Sequence, residues 1–250
     1  MIQIESMIGL ALVILTAGLI FVFANPRKGA PPRLLRPLAA FKHLRRAIGL
    51  AVEDGKRLHI SLGKANLLSI FNGSTWAGLS AMERIVQLSM VSDRPPVITS
   101  GEPVLALLSQ DAIKATYRAG NALNQHNPDQ ARLAGPGGMA YIAGVLPVVR
   151  DEQVTAHVFV GHFGPEVGLL IDAADAQNAF TLAASDALPA QAVLYAAAEE
   201  VLIGEELFAV SAYLQGGAYP IASLRAQDVL RWLLIGGLIV GALLRLVNVL

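Results

Sequence analysis

Two long uncharged segments, one towards each end of the chain, constrain its folding more than anything between them. From Met7 to Ala24 the sequence reads MIGLALVILTAGLIFVFA, which as an α-helix reaches about 27 Å, close to the thickness of a bilayer core. Val229 to Leu250 is almost as apolar, interrupted by Arg231 near its start and Arg245 near its end. Its charge-free middle, Trp232 to Leu244, is too short to span alone. An arginine at a helix end, however, lays its stem along lipid and puts its head at the interface. Two transmembrane helices, 7–24 and 229–250, are therefore expected. A cleaved signal peptide competes for the first, because Val22-Phe23-Ala24 fits a peptidase site. A helix buried in the soluble part or lying on the membrane competes for the second.

The flanks set the orientation. Before the first segment stands Glu5 and no cation, whereas Arg27, Lys28, Arg33, Arg36, Lys42, Arg45 and Arg46 follow it with no acid before Glu53. By the positive-inside rule both termini lie outside and the intervening chain in the cytoplasm, in a multi-pass arrangement in an inner membrane. The same cations, beside a bilayer, are candidates for lipid headgroup contact. Nucleic acid is not an expected partner, because no basic face recurs further along. Gly237 and Gly241, with Gly236 beside them, stand in GxxxG spacing, and Ala11 and Gly18 lie two turns apart in the first segment. Helices of one chain or of neighbouring chains can pack closely at such positions.

Composition agrees with a mixed protein: 54% hydrophobic and 15% charged residues with a mean hydropathy of +0.52 suit apolar ends and a water-soluble middle. There is no cysteine, which excludes disulfides, thiolate metal sites and cysteine nucleophiles.

Residues 25–54 read as a basic, proline-rich connection through Pro26, Pro31, Pro32 and Pro37, ending in an amphipathic helix with Leu38, Phe41, Leu44, Ile48 and Ala51 on one side. From 55 to 228 short apolar runs alternate with helical ones. Strands are expected at Arg57 to Leu62, Val97 to Thr99, Val154 to Val160 and Phe180 to Ala184. Helices are expected from Ser74 to Ser92 with Ser80 and Glu83 as a capping box, from a Ser100 cap to Gly120, after Gly164-Pro165-Glu166, and from Pro189 to about Leu214. Asn121 to Gln130 reads as a loop; Met139 to Val149 reads as a helix ended by Pro147, with a fifth strand as the alternative. Such alternation implies an α/β domain with a parallel sheet covered on both faces, Rossmann-like or flavodoxin-like, flanked by an N-terminal and a C-terminal transmembrane helix.

Signatures of familiar chemistry are absent: no GxGxxG, GxxxxGK[ST], GxSxG or HExxH occurs. The three histidines on or beside strands, His59, His157 and His162, lack ligand spacing, so no metal and no cofactor is expected. The loop Gly161-His162-Phe163-Gly164-Pro165-Glu166 follows a strand and opens a helix, at the sheet edge where parallel folds bind ligands. His162 and Glu166 are thus candidate ligand-binding residues, with a tight structural turn as the plainer reading. Glu199 and Glu206, seven apart in the expected long helix, share a face without a cation among them. They are candidates for a subunit contact or cation site, beside a solvated or internally paired face.

Gly204-Glu205-Glu206-Leu207-Phe208-Ala209, then Ala212-Tyr213-Leu214 and Ala226-Gln227-Asp228-Val229-Leu230-Arg231, with Leu58 to Gly63 and Ala115 to Gly120 upstream, resemble an uncharacterised family of bacterial membrane proteins, a domain of unknown function. The resemblance implies a shared fold and topology and carries over no catalytic residue. The leading expectation is a non-enzymatic, membrane-anchored protein that self-associates into a homo-oligomeric scaffold. The alternatives are a membrane-tethered small-molecule-binding or enzymatic domain and an accessory subunit of a larger membrane complex.

Overall fold

The computed structural model describes residues 2–25, 36–64, 72–215 and 218–246. Arg27, Lys28 and Arg33 of the basic stretch lie outside the described residues. The chain divides into two compact units, one made of Met1–Leu35 with Gln215–Leu250 and the other of Arg36–Leu214.

The first unit is a pair of helices, α1 (Ile2–Ala24) and α9 (Ala218–Leu246), packed against one another. Both are long and apolar enough to cross a membrane. Large apolar side chains stand exposed on each: Leu10, Val13 and Phe21 on α1, Trp232, Leu238 and Leu246 on α9. α9 begins eleven positions before Val229, taking in Arg225 and Asp228 as its amino-terminal turns. Side chains added at Gly18, Gly236, Gly237 or Gly241 would meet nothing within 4 Å, so the packing of α1 on α9 does not run through these glycines.

The second unit is an α/β domain. Its strands are β1 (Arg57–Gly63), β2 (Val97–Ser100), β3 (Ala131–Leu133), β4 (Val154–His162), β5 (Phe180–Ser185) and β6 (Glu200–Leu202). They form one sheet in the order β3-β2-β1-β4-β5-β6, parallel at every pairing. This is the doubly wound 3-2-1-4-5-6 order, not the flavodoxin-like 2-1-3-4-5 order. The remaining helices are α2 (Ala39–Glu53), α3 (Asn72–Leu88), α4 (Pro103–Ala119), α5 (Gly138–Asp151), α6 (Gly168–Asp175), α7 (Leu188–Ala197) and α8 (Glu206–Gln215).

The strands are buried on both faces, as parallel strands under helices are. Leu58, Ile60, Leu62, Val158 and Val160 join a core with Phe41, Leu44 and Ile48 of α2, Met82 and Ile85 of α3 and Leu207 and Val210 of α8. On the opposite face Phe159 and Ala183 pack with Tyr141, Ile142 and Val145 of α5, Leu170 and Ile171 of α6 and Leu194 of α7. The amphipathic helix after the proline-rich stretch therefore spends its apolar side on the sheet. Lys42, Arg45 and Arg46 face out. Phe41 stacks on Tyr213 with ring centroids 4.5 Å apart. Arg45 and Arg84 donate to the carbonyls of Tyr213 and Leu214, at 2.5 and 2.9 Å, which satisfies the carboxyl end of α8 with cations, as the helix dipole favours.

Several expectations are corrected. The stretch from Pro189 to Leu214 is not one helix. α7 ends at Ala197 and the extended Ala198 leads into edge strand β6; Gly204, at φ +62°, then turns the chain into α8. The amide of Glu199 donates to Thr181 Oγ1 at 3.0 Å, so ladder and side-chain bonds to β5 replace helical ones. Glu199 and Glu206 consequently share no helical face. Glu206 sits in the first turn of α8, where a carboxylate favours the dipole, and Glu200 pairs with His43 at 2.5 Å. Pro147 lies inside α5, which continues to Asp151 because Val148 and Val149 are buried. α4 is capped by Glu102 instead of Ser100. α3 starts before Ser80 and Glu83, which lie within it. β3 and β6 were not among the expected strands, being three residues each, too short to show a period.

Candidate functional site

The strand order reverses direction between β1 and β4: β2 and β3 extend from one side of the pair, β5 and β6 from the other. In open parallel sheets the crevice at the carboxyl ends of such a pair is the binding edge, because the crossovers leave in opposite directions and do not cover it. Gly63 and His162 end β1 and β4 there, in register with one another. Gly63 has φ +75°, and a side chain on it would stand 2.3 Å from the carbonyl oxygen of His162, so only glycine fits. The amide of Lys64 donates to that carbonyl at 3.0 Å.

Two ion pairs occupy the edge. Lys64 Nζ donates to Glu166 Oε1, and His162 Nδ1 lies 2.6 Å from Asp186 Oδ1. Burial alone would raise the Glu166 carboxyl. The Lys64 hydrogen bond, its own backbone N–H and the charges of Lys64 and His162 outweigh burial and hold it below the usual carboxylate range. The loops after β4 and β5 are clasped by Ser185, whose hydroxyl accepts from the amides of Phe163 and Ala187 at 3.2 and 3.3 Å, and Gln191 Nε2 donates to the Ser185 carbonyl at 2.8 Å. This clasp holds His162 and Asp186 within reach of each other.

Beneath the edge, the face of the sheet covered by α5 is polar along its buried centre. Tyr141 of α5 hydrogen-bonds Ser61. Burial raises its phenol, partly offset by bonds to Ser61, Thr99 and the Gly63 backbone. His59 Nε2 lies 2.8 Å from Thr99 Oγ1, and His59 Nδ1 lies 3.0 Å from His157 Nδ1. Both rings are held neutral: burial, then His157 and Arg132, push His59 well below its ordinary value, and burial lowers His157 to about 4. One Nδ1 must donate and the other accept, so the pair shares a single proton. His157 Nε2 and Thr155 Oγ1, on the same face of β4, have no hydrogen-bond partner among the described residues.

The two candidate residues from the sequence, His162 and Glu166, thus lie together at the switch point. Lys64 and Asp186, their partners, carried no local signal beyond following a strand. Of the three strand histidines, His59 and His157 meet inside the domain, away from His162. Among the described residues no cluster of three His, Asp or Glu is placed to hold a metal. Glu102, at the carboxyl end of β2, stands where an acid grips a ribose in dinucleotide-binding domains. Its carboxylate accepts from the amide of Leu105 at 2.6 Å and serves as the cap of α4. The glycine-rich fingerprint is missing as a motif, yet one of its tasks is kept. A side chain on Gly78 would stand 2.4 Å from the Val160 carbonyl oxygen, so glycine lets α3 approach the sheet.

No curated protein and no solved structure matches the chain. The model of the family DUF6754, a domain of unknown function, matches residues 1–250, and the protein belongs to that family.

Proposed function

We propose that this chain is a membrane-tethered binding domain for a small molecule, which it takes at the switch point between β1 and β4. The observation that carries this reading is the reversal of strand order with Lys64, His162, Glu166 and Asp186 gathered from three strand ends at that edge. A few convergent polar groups at the carboxyl edge of a parallel sheet are what a ligand site needs. The four side chains pair among themselves, Lys64 with Glu166 and His162 with Asp186, and binding is the role assigned to them. In this proposal the two apolar helices anchor the domain on the cytoplasmic side of an inner membrane, with both termini outside, as the excess of cations after α1 favours. The test is purification in native nanodiscs and mass spectrometry of the small molecules released on denaturation. A compound retained by wild type and lost from a His162→Ala, Asp186→Ala double variant of unchanged circular dichroism is expected. Equal retention by both proteins would refute the site.

Self-association is a second reading, favoured by one observation: Gly237 and Gly241 stand open on α9, with no neighbour within 4 Å of an added side chain. A second copy approaching there would bring helix backbones close. Particles larger than one chain of 26.4 kDa after gentle extraction, reduced to single chains by Gly237→Leu with Gly241→Leu, are the expected result. Single chains from the wild type would dispose of it. Association with other membrane subunits would appear in the same preparation as co-purified proteins.

A further inference from the structure

The Glu166 carboxylate does not rest on ordinary side-chain surface. An added methyl on Gly164 would stand 2.1 Å from Glu166 Oε2, and one on Gly138 would stand 2.5 Å from Oε1 and 3.3 Å from Lys64 Nζ. Two bare glycine backbones, from the β4 loop and the start of α5, and one lysine therefore enclose a space filled by a carboxylate group. The side chains are about one-fifth and one-quarter exposed, at 19% for Glu166 and 25% for Lys64, so the space opens to solvent.

What Glu166 does there differs from its neighbours. Glu102 caps α4, Ser185 clasps two loops and Tyr141 anchors α5 on Ser61. Glu166 instead accepts from Lys64 and from its own backbone N–H. Moving it away removes one tie, between Lys64 after β1 and the loop after β4, and leaves the caps and clasps of the other three in place. It leaves the Lys64 ammonium, the Glu166 amide and two glycine backbones around the space a carboxylate had filled.

Resting on the binding reading above, we infer that the switch-point ligand is an anion and that Glu166 is its built-in stand-in. The anionic group of the ligand, a carboxylate or a phosphoryl group, takes the cradle of Gly138, Gly164 and Lys64, and Glu166 swings out towards solvent. The ion pair of the empty domain is thus a competitor: it keeps Lys64 neutralised until a ligand with more charge or more contacts replaces it. His162, 2.6 Å from Asp186, stands beside the cradle, and its charge acts on the carboxylate already there.

The test uses the full chain in nanodiscs and isothermal titration with inorganic pyrophosphate and, separately, succinate. Glu166→Gln removes the competing charge while keeping a group that bonds Lys64. It is expected to bind one of the two anions up to about fivefold more tightly than wild type, the upper end of what a partly exposed charge interaction is worth. The preferred anion tells a phosphoryl ligand from a carboxylate one. Adding Lys64→Gln is expected to erase the gain, and Gly138→Ala, which fills the cradle with a methyl, to abolish binding. If Glu166→Gln does not melt cooperatively, Glu166→Asp, which withdraws the carboxylate by one methylene, takes its place with the same direction expected. No gain in either variant, or a gain that survives Lys64→Gln, overturns the inference. If a small molecule still co-purifies with wild type and not with the His162→Ala, Asp186→Ala variant, such a failure overturns the anion assignment alone. If nothing co-purifies and both anions are silent on every variant, the binding reading falls with it.

Discussion

His59 and His157 show how one residue pair ties stability to pH. Both are fully buried, and their Nδ1 atoms, 3.0 Å apart, accommodate one proton between them, so charging either ring either breaks that bond or leaves a buried cation. The folded pKa of His157, about 4, lies below the value of about 6.5 in an unfolded chain. Well above pH 6.5 the rings are neutral in both states and protonation takes nothing from stability. Between about 6.5 and 4 the unfolded state takes the proton first, and stability falls as pH falls. His157 by itself is expected to remove about 3 kcal/mol over that window, with His59 acting in the same direction. Denaturant melts of the domain at pH 7 and pH 4.5 measure it, and in His157→Leu the slope flattens. A wild-type midpoint unmoved between the two pH values would show the rings to be charged or exposed.

At the scale of elements, α2 shows where the apolar side of a basic amphipathic helix is spent. An amphipathic helix rich in Lys and Arg suits a membrane surface or a protein core equally well by pattern. Here its apolar side is buried against the sheet, with Leu44 at 0% exposure and Phe41 at 4%. Phe41→Ala, which empties the stack on Tyr213, is expected to destabilise the domain by about 3–5 kcal/mol, read by chemical denaturation. A loss below about 1 kcal/mol, the cost of an ordinary surface change, would mean that the apolar face is turned elsewhere. β6 carries the complementary lesson. Glu200-Val201-Leu202 reads as helix because alanine and leucine dominate on either side, yet β5 offers a free edge, and pairing with Leu182, Ala183 and Ala184 outweighs local preference.

For the whole molecule the decisive question is where the two units stand relative to a bilayer. The absence of cysteine makes it directly testable. Ser6→Cys, on an exposed position near the start of α1, and Asn124→Cys, on an exposed turn of the α/β domain, each provide a single labelling site. In sealed vesicles of known orientation, a membrane-impermeant maleimide is expected to reach the two positions from opposite sides. Labelling of both from one side, or release of the chain by carbonate, would remove the membrane-spanning arrangement.

The sequence by itself determined the apolar ends, the α/β alternation with its parallel sheet, and the loop from Gly161 to Glu166 as the edge worth searching. These are local properties: hydrophobic period and turn chemistry act within a few residues, and the chain displays them without knowing its neighbours. Only the tertiary structure decided which strand stands beside which, and hence the 3-2-1-4-5-6 order. The same order decided that Lys64 meets Glu166 across 102 positions and His59 meets His157 across 98. It also decided that His59 and Ser61, alternating with apolar residues as if to face water, are buried under α5. Such meetings depend on the packing of helices over both faces of the sheet, a balance of buried area and chain entropy struck by the whole domain at once, and no window of sequence contains it.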